Sequence, residues 1–241
     1  MKNISFLFPL YNEEKRIENI SNFLNWIKDN KIDSYEIILI SNGSTDVTEK
    51  YIYEYEKKYS FIKAFHIPVK SRGKSLKLGI QKSKYDLIAI CAIDNAWDLN
   101  FYIESYKLID IGNYSVVFGP KTHEKSEVAR PILRKIISII SSAFLKILFG
   151  SKIDQDTQCI KMFKKKEITF YENLSESNLF SDVEFFLFTK LFKIKYLSIP
   201  VKIKDNKGAV SIKMMFSFVF NAISFRFSKE YKKGLDLYNK D

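Results

Sequence analysis

The sequence predicts an α/β fold: a mostly parallel sheet with helices on both faces. Two observations carry that expectation. Short β-rich runs alternate with segments of helical apolar spacing through the first half, and polar, turn-forming residues stand where the runs end. ISFLF (4–8), YEIILI (35–40), FIKAFHI (61–67), DLIAICAI (86–93) and YSVVFG (114–119) read as strands. Between them, residues 13–29, 46–59, 73–83 and 99–109 space their apolar residues for one buried helix face.

Ligands in such sheets bind beyond the carboxyl ends of the strands. Three of those ends are polar: Pro9 to Glu14 (PLYNEE), Ser41 to Asp46 (SNGSTD) and Asp94 to Asp98 (DNAWD). Local structure explains part of each. Asp46 with Glu49 forms a capping box, Asn12 is a plausible N-cap, and Asp98 suits the start of a helix near Leu99.

The second half changes character. Residues 129–149 form a long apolar helix candidate on which Arg130 and Arg134 stand one turn apart. The polar stretch Asp154 to Cys159 follows, then a basic run Lys161–Lys166 that reads as a solvated face. Residues 182–192 read as a helix and Tyr196–Ile203 as a strand. From Lys202 to Asp241 there are nine Lys/Arg against four Asp/Glu, interleaved with seven Met and Phe residues from Met214 to Phe227. The expected division is therefore a domain over 1–205 and an amphipathic, basic, Phe-rich C-terminal segment over 206–241.

Composition supports a folded chain: 241 residues, 46% hydrophobic, 15% aromatic. The formal charge of +11 favours polyanionic partners, whether nucleic acid, anionic lipid or a phosphorylated substrate, and does not by itself separate the three. The basic residues form no recognised nucleic-acid reader, so no nucleic-acid partner is expected. Cys91 and Cys159 lie in apolar stretches without metal-type spacing and read as buried free thiols of a reducing compartment. Charges at Lys146 and Arg226 interrupt the longest apolar stretches, which fall short of the ~20 residues of a membrane span. No leader peptide is expected either. These features leave a soluble protein or one that lies on a membrane without crossing it; the localisation expected is cytoplasmic, peripheral to the inner face of the membrane.

Taken in order, FPLYNEE (8–14), SNGSTD (41–46), SRGKSLKLGI (71–80), the Asp94 region, IDQDTQCIKMFKKKEI (153–168) and FSDVEFFLFTKLFKIKYLSIPVKIK (180–204) resemble family 2 glycosyltransferases. Within that family they resemble the polyprenyl-phosphate (dolichyl-phosphate) mannosyl- and glucosyltransferases. The resemblance implies a GT-A (Rossmann-like) fold and inverting transfer of a hexose from a nucleotide sugar of the GDP-mannose or UDP-glucose type to a polyprenyl phosphate. It also implies Mg²⁺ or Mn²⁺. Carried onto this sequence, Pro9, Tyr11, Glu13, Asn42, Gly43, Ser44 and Asp46 would line the nucleoside pocket, with Arg72, Gly73 and Lys74 near the donor nucleotide. Asp94 would meet metal and diphosphate, and Gln158 would complete the metal site. Arg130 and Arg134 would meet the acceptor phosphate, where forked guanidinium donors suit phosphate oxygens. Asp182 and Glu184 would form the acidic pair of the acceptor side, with Asp182 counted among the catalytic residues.

Two positions depart from the family pattern. Asn42 stands where a carboxylate commonly reads the base. The Asp-x-Asp metal signature reads Asp94-Asn95-Ala96, so the second ligand is Asp98, or the site holds metal with Asp94 and Gln158, or catalysis is altered. A polysaccharide acceptor and a non-catalytic nucleotide-sugar-binding protein are the competing readings.

Overall fold

Strand β1 (Lys2–Leu10) buries Ile4, Phe6, Phe8 and Leu10 on one side and Leu7 on the other. A strand apolar on both faces requires cover on both, and the architecture follows from that demand. The structure, a computed structural model, describes residues 1–94, 97–129, 131–177, 180–204 and 212–239, without the side chains of residues 133, 134, 212 and 213. Its strands are β2 (Ser34–Asn42), β3 (Ile62–Ile67), β4 (Leu87–Ile90), β5 (Val116–Gly119), β6 (Glu127–Ala129), β7 (Ile160–Lys164), β8 (Tyr196–Ser198) and β9 (Lys202–Lys204). Seven of them form one sheet in the order β3-β2-β1-β4-β7-β5-β8, and β6 pairs with β9 in a second.

Helices α1 (Asn19–Asp29), α2 (Thr48–Lys58), α3 (Arg72–Lys82) and α4 (Asn100–Ile111) connect the first strands. Ile20, Phe23 and Ile27 of α1, Ile52 of α2, and Phe101 and Ile109 of α4 join the core under Phe6. Leu76 and Ile80 of α3 join the opposite core with Leu7. That second core also receives α5 (Ile132–Phe149), α6 (Phe180–Leu191), α7 (Ile212–Arg226) and α8 (Lys229–Tyr238). Helices on both faces of a mostly parallel sheet are what the alternating pattern predicts.

The C-terminal helices dock through aromatic rings. Phe225 lies 5.5 Å from Phe180 and 5.4 Å from Phe188, and Tyr231 lies 5.3 Å from Phe149. Each such pair contributes roughly 0.5–1.5 kcal/mol beyond its burial. The Phe-rich segment is thus packed onto the domain through one stripe.

Four local expectations are corrected. Helix α1 starts at Asn19 rather than near residue 13, because the backbone N–H groups of Glu13 and Glu14 are given to Thr48 and Asp46. The expected strand over 196–203 is divided at Ile199–Val201, where Pro200 offers no N–H to a ladder, and its two ends join different sheets. The capping box does not form: Asp46 accepts from Thr48 N–H, while Glu49 pairs with His66 Nδ1 at 2.9 Å. Asn12 caps no helix; its Oδ1 accepts the N–H of Thr45.

The largest correction concerns the run Lys161–Lys166. Its first residues belong to β7, an antiparallel strand between β4 and β5, and Lys161 is fully buried. Only residues beyond Met162 and Phe163 reach solvent. A short strand in mid-sheet needs apolar neighbours on both faces, which Ile160, Met162 and Phe163 supply. The lysine among them has a different use.

Candidate active site

The ends of β1 and β2 are tied to each other by side chains. Asn12, in the left-handed region at φ +53°, donates its N–H to Ser44 Oγ at 3.2 Å and accepts Thr45 N–H at 2.8 Å. Asp46 bridges Thr48 N–H and Glu14 N–H, at 3.0 and 3.2 Å. Asn42 is buried and accepts Ser71 N–H at 2.6 Å, which links the end of β2 to the cap of α3. Between them Gly43 adopts φ +66°, and a β-carbon there would overlap the backbone of Val69 and Lys70. Lys70 holds its ammonium over the Tyr11 ring, 3.5 Å from the centroid.

Beside this knot a pocket of about 310 Å³ opens at the carboxyl end of β4. Pro9 and Glu13 from β1 and its turn, Asp94 and Trp97 after β4, and Arg72, Gln158 and Asp182 line it. The Asn19 amide donates to Ile93 O at 2.8 Å and so fixes the chain next to Asp94. Burial raises the Glu13 carboxyl, against the pull of Arg16 at 2.6 Å, and the negative charges of Asp94 and Asp46 raise it further. Burial would raise Asp182 as well. There Arg72 and Lys161 more than offset it and bring the carboxyl down to about 2. Asp182 is therefore held as an anion at neutral pH by the two cations beside it.

Residues 5–170 match glycosyl transferase family 2, more than half of the chain. The chain belongs to that family. It is 28% identical over 243 residues to a dolichyl-phosphate beta-glucosyltransferase of Trichomonas vaginalis, covering 92% of this chain and 74% of that protein. It is 28% identical over 224 residues to the dolichyl-phosphate beta-glucosyltransferase of Homo sapiens, covering 86% and 69%. The fold also matches glucosyl-3-phosphoglycerate synthase from Mycobacterium tuberculosis, solved with Mn²⁺, UDP-glucose and phosphoglyceric acid. There the TM-score is 0.62 at 13% identity, over 92% of this chain and 78% of that one.

Of the residues expected at a family 2 site, the structure gathers Pro9, Glu13, Arg72, Asp94, Gln158 and Asp182 around one pocket. Asn42, Gly43, Ser44 and Asp46 stand in the adjoining knot, and Tyr11 lies under Lys70. Gly73 and Lys74 have local explanations. Gly73 donates its N–H to Ser177 O and leaves no room for a β-carbon beneath Ser175, while Lys74 pairs with Glu176 at 2.9 Å. Arg130 lies outside the described residues, and the side chain of Arg134, on α5, is not described. Glu184 is buried and accepts Ser175 N–H at 2.6 Å, away from the pocket lining.

The donor set suits a divalent cation in part. Among the described residues no cluster of three or more His, Cys, Asp or Glu stands together. A cation shared with a diphosphate needs only one or two protein carboxylates, and Asp94 and Gln158, which both line the pocket, are the residues that could hold one. Asp98 does not line the pocket; its carboxylate accepts Asn100 N–H at 3.0 Å at the start of α4, as a capping residue does.

Gln158 also borders a second, mainly apolar groove of about 420 Å³ between α5 and α7. Ile137, Ile140, Phe144, Met215, Phe218 and Val219 line it. The outer faces of the same two helices are apolar too: Ile139 is 67% exposed, Phe216 74% and Phe220 71%. Among the described residues no helix is long and apolar enough to cross a membrane. Cys91 and Cys159 are free and buried as expected, and burial pushes Cys159 up to about 12. Sequence reasoning missed Lys161 and Trp97. The signal for Lys161 was one cation inside the apolar tetrad Ile160 to Phe163.

Proposed function

We propose that this family 2 glycosyltransferase moves a hexosyl group, with inversion, from a nucleoside-diphosphate sugar to a polyprenyl phosphate at a membrane surface. One observation carries the reading: a polar pocket and an apolar groove share Gln158 at their border. The first suits a sugar diphosphate. The second suits the start of a hydrocarbon chain. The relatives named for dolichyl-phosphate glucosylation support the same acceptor and a glucosyl donor, and the Mn²⁺ and UDP-glucose of the solved neighbour support the donor class.

In this reading an acceptor phosphate oxygen attacks the anomeric carbon as the bond from that carbon to the diphosphate breaks on the opposite face. A phosphate is already anionic at neutral pH, so no general base is needed, which agrees with an Asp182 committed to two cations. Asp94 and Gln158 would hold Mg²⁺ or Mn²⁺, which when bound supplies counter-charge to the departing nucleoside diphosphate. Pro9, Tyr11, Glu13 and the Asn42–Asp46 knot would hold the nucleoside, and Arg72 would face the diphosphate. Arg130 and Arg134 are the residues for the acceptor phosphate. Proximity and alignment supply most of the remaining acceleration.

The outer apolar faces of α5 and α7 would lie in the headgroup boundary of the bilayer. A helix apolar on two sides needs two apolar neighbours, and α7 buries Phe218, Ala222 and Phe225 while exposing Phe216 and Phe220. The chain's net charge of +11 adds attraction to anionic headgroups.

The test is transfer of radiolabel from UDP-glucose and from GDP-mannose to dolichyl phosphate in vesicles with Mg²⁺ or Mn²⁺. Label extractable into chloroform is the expected result. Its absence with both donors and both metals refutes the reading.

A further inference from the structure

Lys161, Asp182 and Arg72 form a buried chain of charges that runs from the middle of the sheet to the pocket. Lys161 Nζ donates to Asp182 Oδ1 at 2.5 Å, and Arg72 Nε donates to Asp182 Oδ2 at 2.7 Å. Side-chain exposure rises along the chain, from 0% at Lys161 through 5% at Asp182 to 30% at Arg72. Only its outer end meets the pocket broadly.

Stability alone is a poor explanation. Desolvating charges is expensive, and apolar residues of similar volume commonly replace buried ion clusters without loss. The sheet offers Lys161 apolar neighbours, including the Phe185 ring 5.3 Å from its ammonium. A leucine or methionine would fill that place. Charge placement gives the cluster a purpose. Two cations surround one anion, so the three residues together keep a positive charge, and of the two members that line the pocket the more exposed is the guanidinium. Without Lys161, Asp182 would neutralise Arg72, and the pocket would present a diphosphate with the carboxylates of Asp94 and Glu13.

We propose that Lys161 is a positioning residue for donor binding: by neutralising Asp182 it leaves the charge of Arg72 for the diphosphate, while Asp182 fixes the guanidinium's direction. The assignment rests on the reading of this pocket as the donor site. It also gives β7 a functional reason to run between β4 and β5, since that position delivers a lysine beneath α6 and α3.

The test measures binding of UDP and of uridine by calorimetry, with Mg²⁺, to the full chain and to Lys161→Met, Lys161→Arg and the pair Lys161→Met with Asp182→Asn. Losing a charge-assisted contact corresponds to roughly ten- to a hundredfold in affinity, so Lys161→Met weakens UDP by about that factor and leaves uridine within about twofold. Lys161→Arg retains most of the UDP affinity. The paired variant removes one charge of each sign, restores the balance, and recovers UDP to within a fewfold of the parent. It also leaves no buried carboxylate short of a cation, so it folds even where Lys161→Met does not. Parallel loss of UDP and uridine, unchanged UDP binding in Lys161→Met, or a paired variant that binds UDP tenfold worse than the parent each overturns the assignment. A parent chain that binds neither UDP nor GDP overturns the donor-site reading and this assignment with it. A parent that binds UDP while the variants behave alike removes only the role of Lys161.

Discussion

The two sides of Gln158 are built by opposite means. On the donor side nearly every polar side chain is already bonded to a residue far away in sequence: Asn12 to Thr45, Asp46 to Glu14, Asn42 to Ser71, Arg72 to Asp182. Such cross-links hold groups in place before a ligand arrives, and electrostatic catalysis profits from groups that need not reorganise. On the α5–α7 side the surface is apolar and exposed, with Ile147 84% and Phe216 74% accessible. Patches of that kind in folded proteins mark lipid or partner contacts. One side is complete in the chain itself, and the other is complete only against something apolar. Substitutions should therefore separate cleanly into losses of chemistry on the first side and losses of docking on the second.

The sharpest attempt to break this division is Asp94→Asn. Removing the carboxylate that would hold the cation should lower the transfer rate by on the order of a thousandfold, measured as initial velocity at saturating donor. Vesicle binding should not change. A variant transferring sugar at the parent rate would remove Asp94 from the mechanism. Next in size is Gly73→Ala. The added methyl would run into the Ser175 carbonyl, a backbone group that cannot rotate away. Overpacking of this sort costs about 1–3 kcal/mol, to be read as a lower Tm in thermal unfolding together with weakened donor binding. Unchanged Tm would mean that the 175–177 segment yields easily and is not part of the preorganised side.

The sequence disclosed these two sides unequally. Parallel strands and the turns after them were legible because the short β-rich apolar runs of β1 and β2 give way to polar residues such as Asn, Gly, Ser and Asp, whose turn-forming chemistry is local. Glu13 and Asp94 stand at such ends, whereas Gln158 is reached only through the family resemblance of the 153–168 stretch. The antiparallel β7 was hidden, because Lys161 and Lys164–Lys166 together resemble a solvated face, and burial of a lysine depends on Asp182 and Arg72, distant residues that sequence spacing does not bring together. The same limit applies to α1 and to the capping box. Residues there have good local alternatives, and contacts between β1 and α2 decided which were used. Propensity proposes, and tertiary hydrogen bonds select.

A smaller effect should sharpen the comparison from the apolar side. Phe216→Ser with Phe220→Ser removes two large exposed rings from α7. Partial burial of each ring in a bilayer is worth about 1 kcal/mol or more, so binding to anionic vesicles should weaken by about tenfold or more. Tm should stay within a degree or two, since neither ring packs in the core. Transfer to a short, water-soluble prenyl phosphate should proceed at the parent rate. A matching loss of Tm would instead identify these rings as structural.

The last effect concerns pH and tests how firmly the donor side is held. Glu184 lies under the segment that roofs Gly73, and burial lifts its carboxyl to about 7, although the hydrogen bond from Ser175 N–H pulls the other way. A folded-state value above the unfolded one near 4.5 means that the native state binds the extra proton. The stability contribution is therefore present below pH 4.5 and is lost as pH rises toward and through 7. Glu184→Gln keeps an acceptor for Ser175 and removes the titration. Between pH 5 and 8 the parent should lose on the order of 2–3 kcal/mol that the variant retains, measured by denaturant unfolding at each pH. Parallel curves for the two proteins would show that Glu184 ionises normally and that the roof over α3 is more open to water than its hydrogen bonds imply.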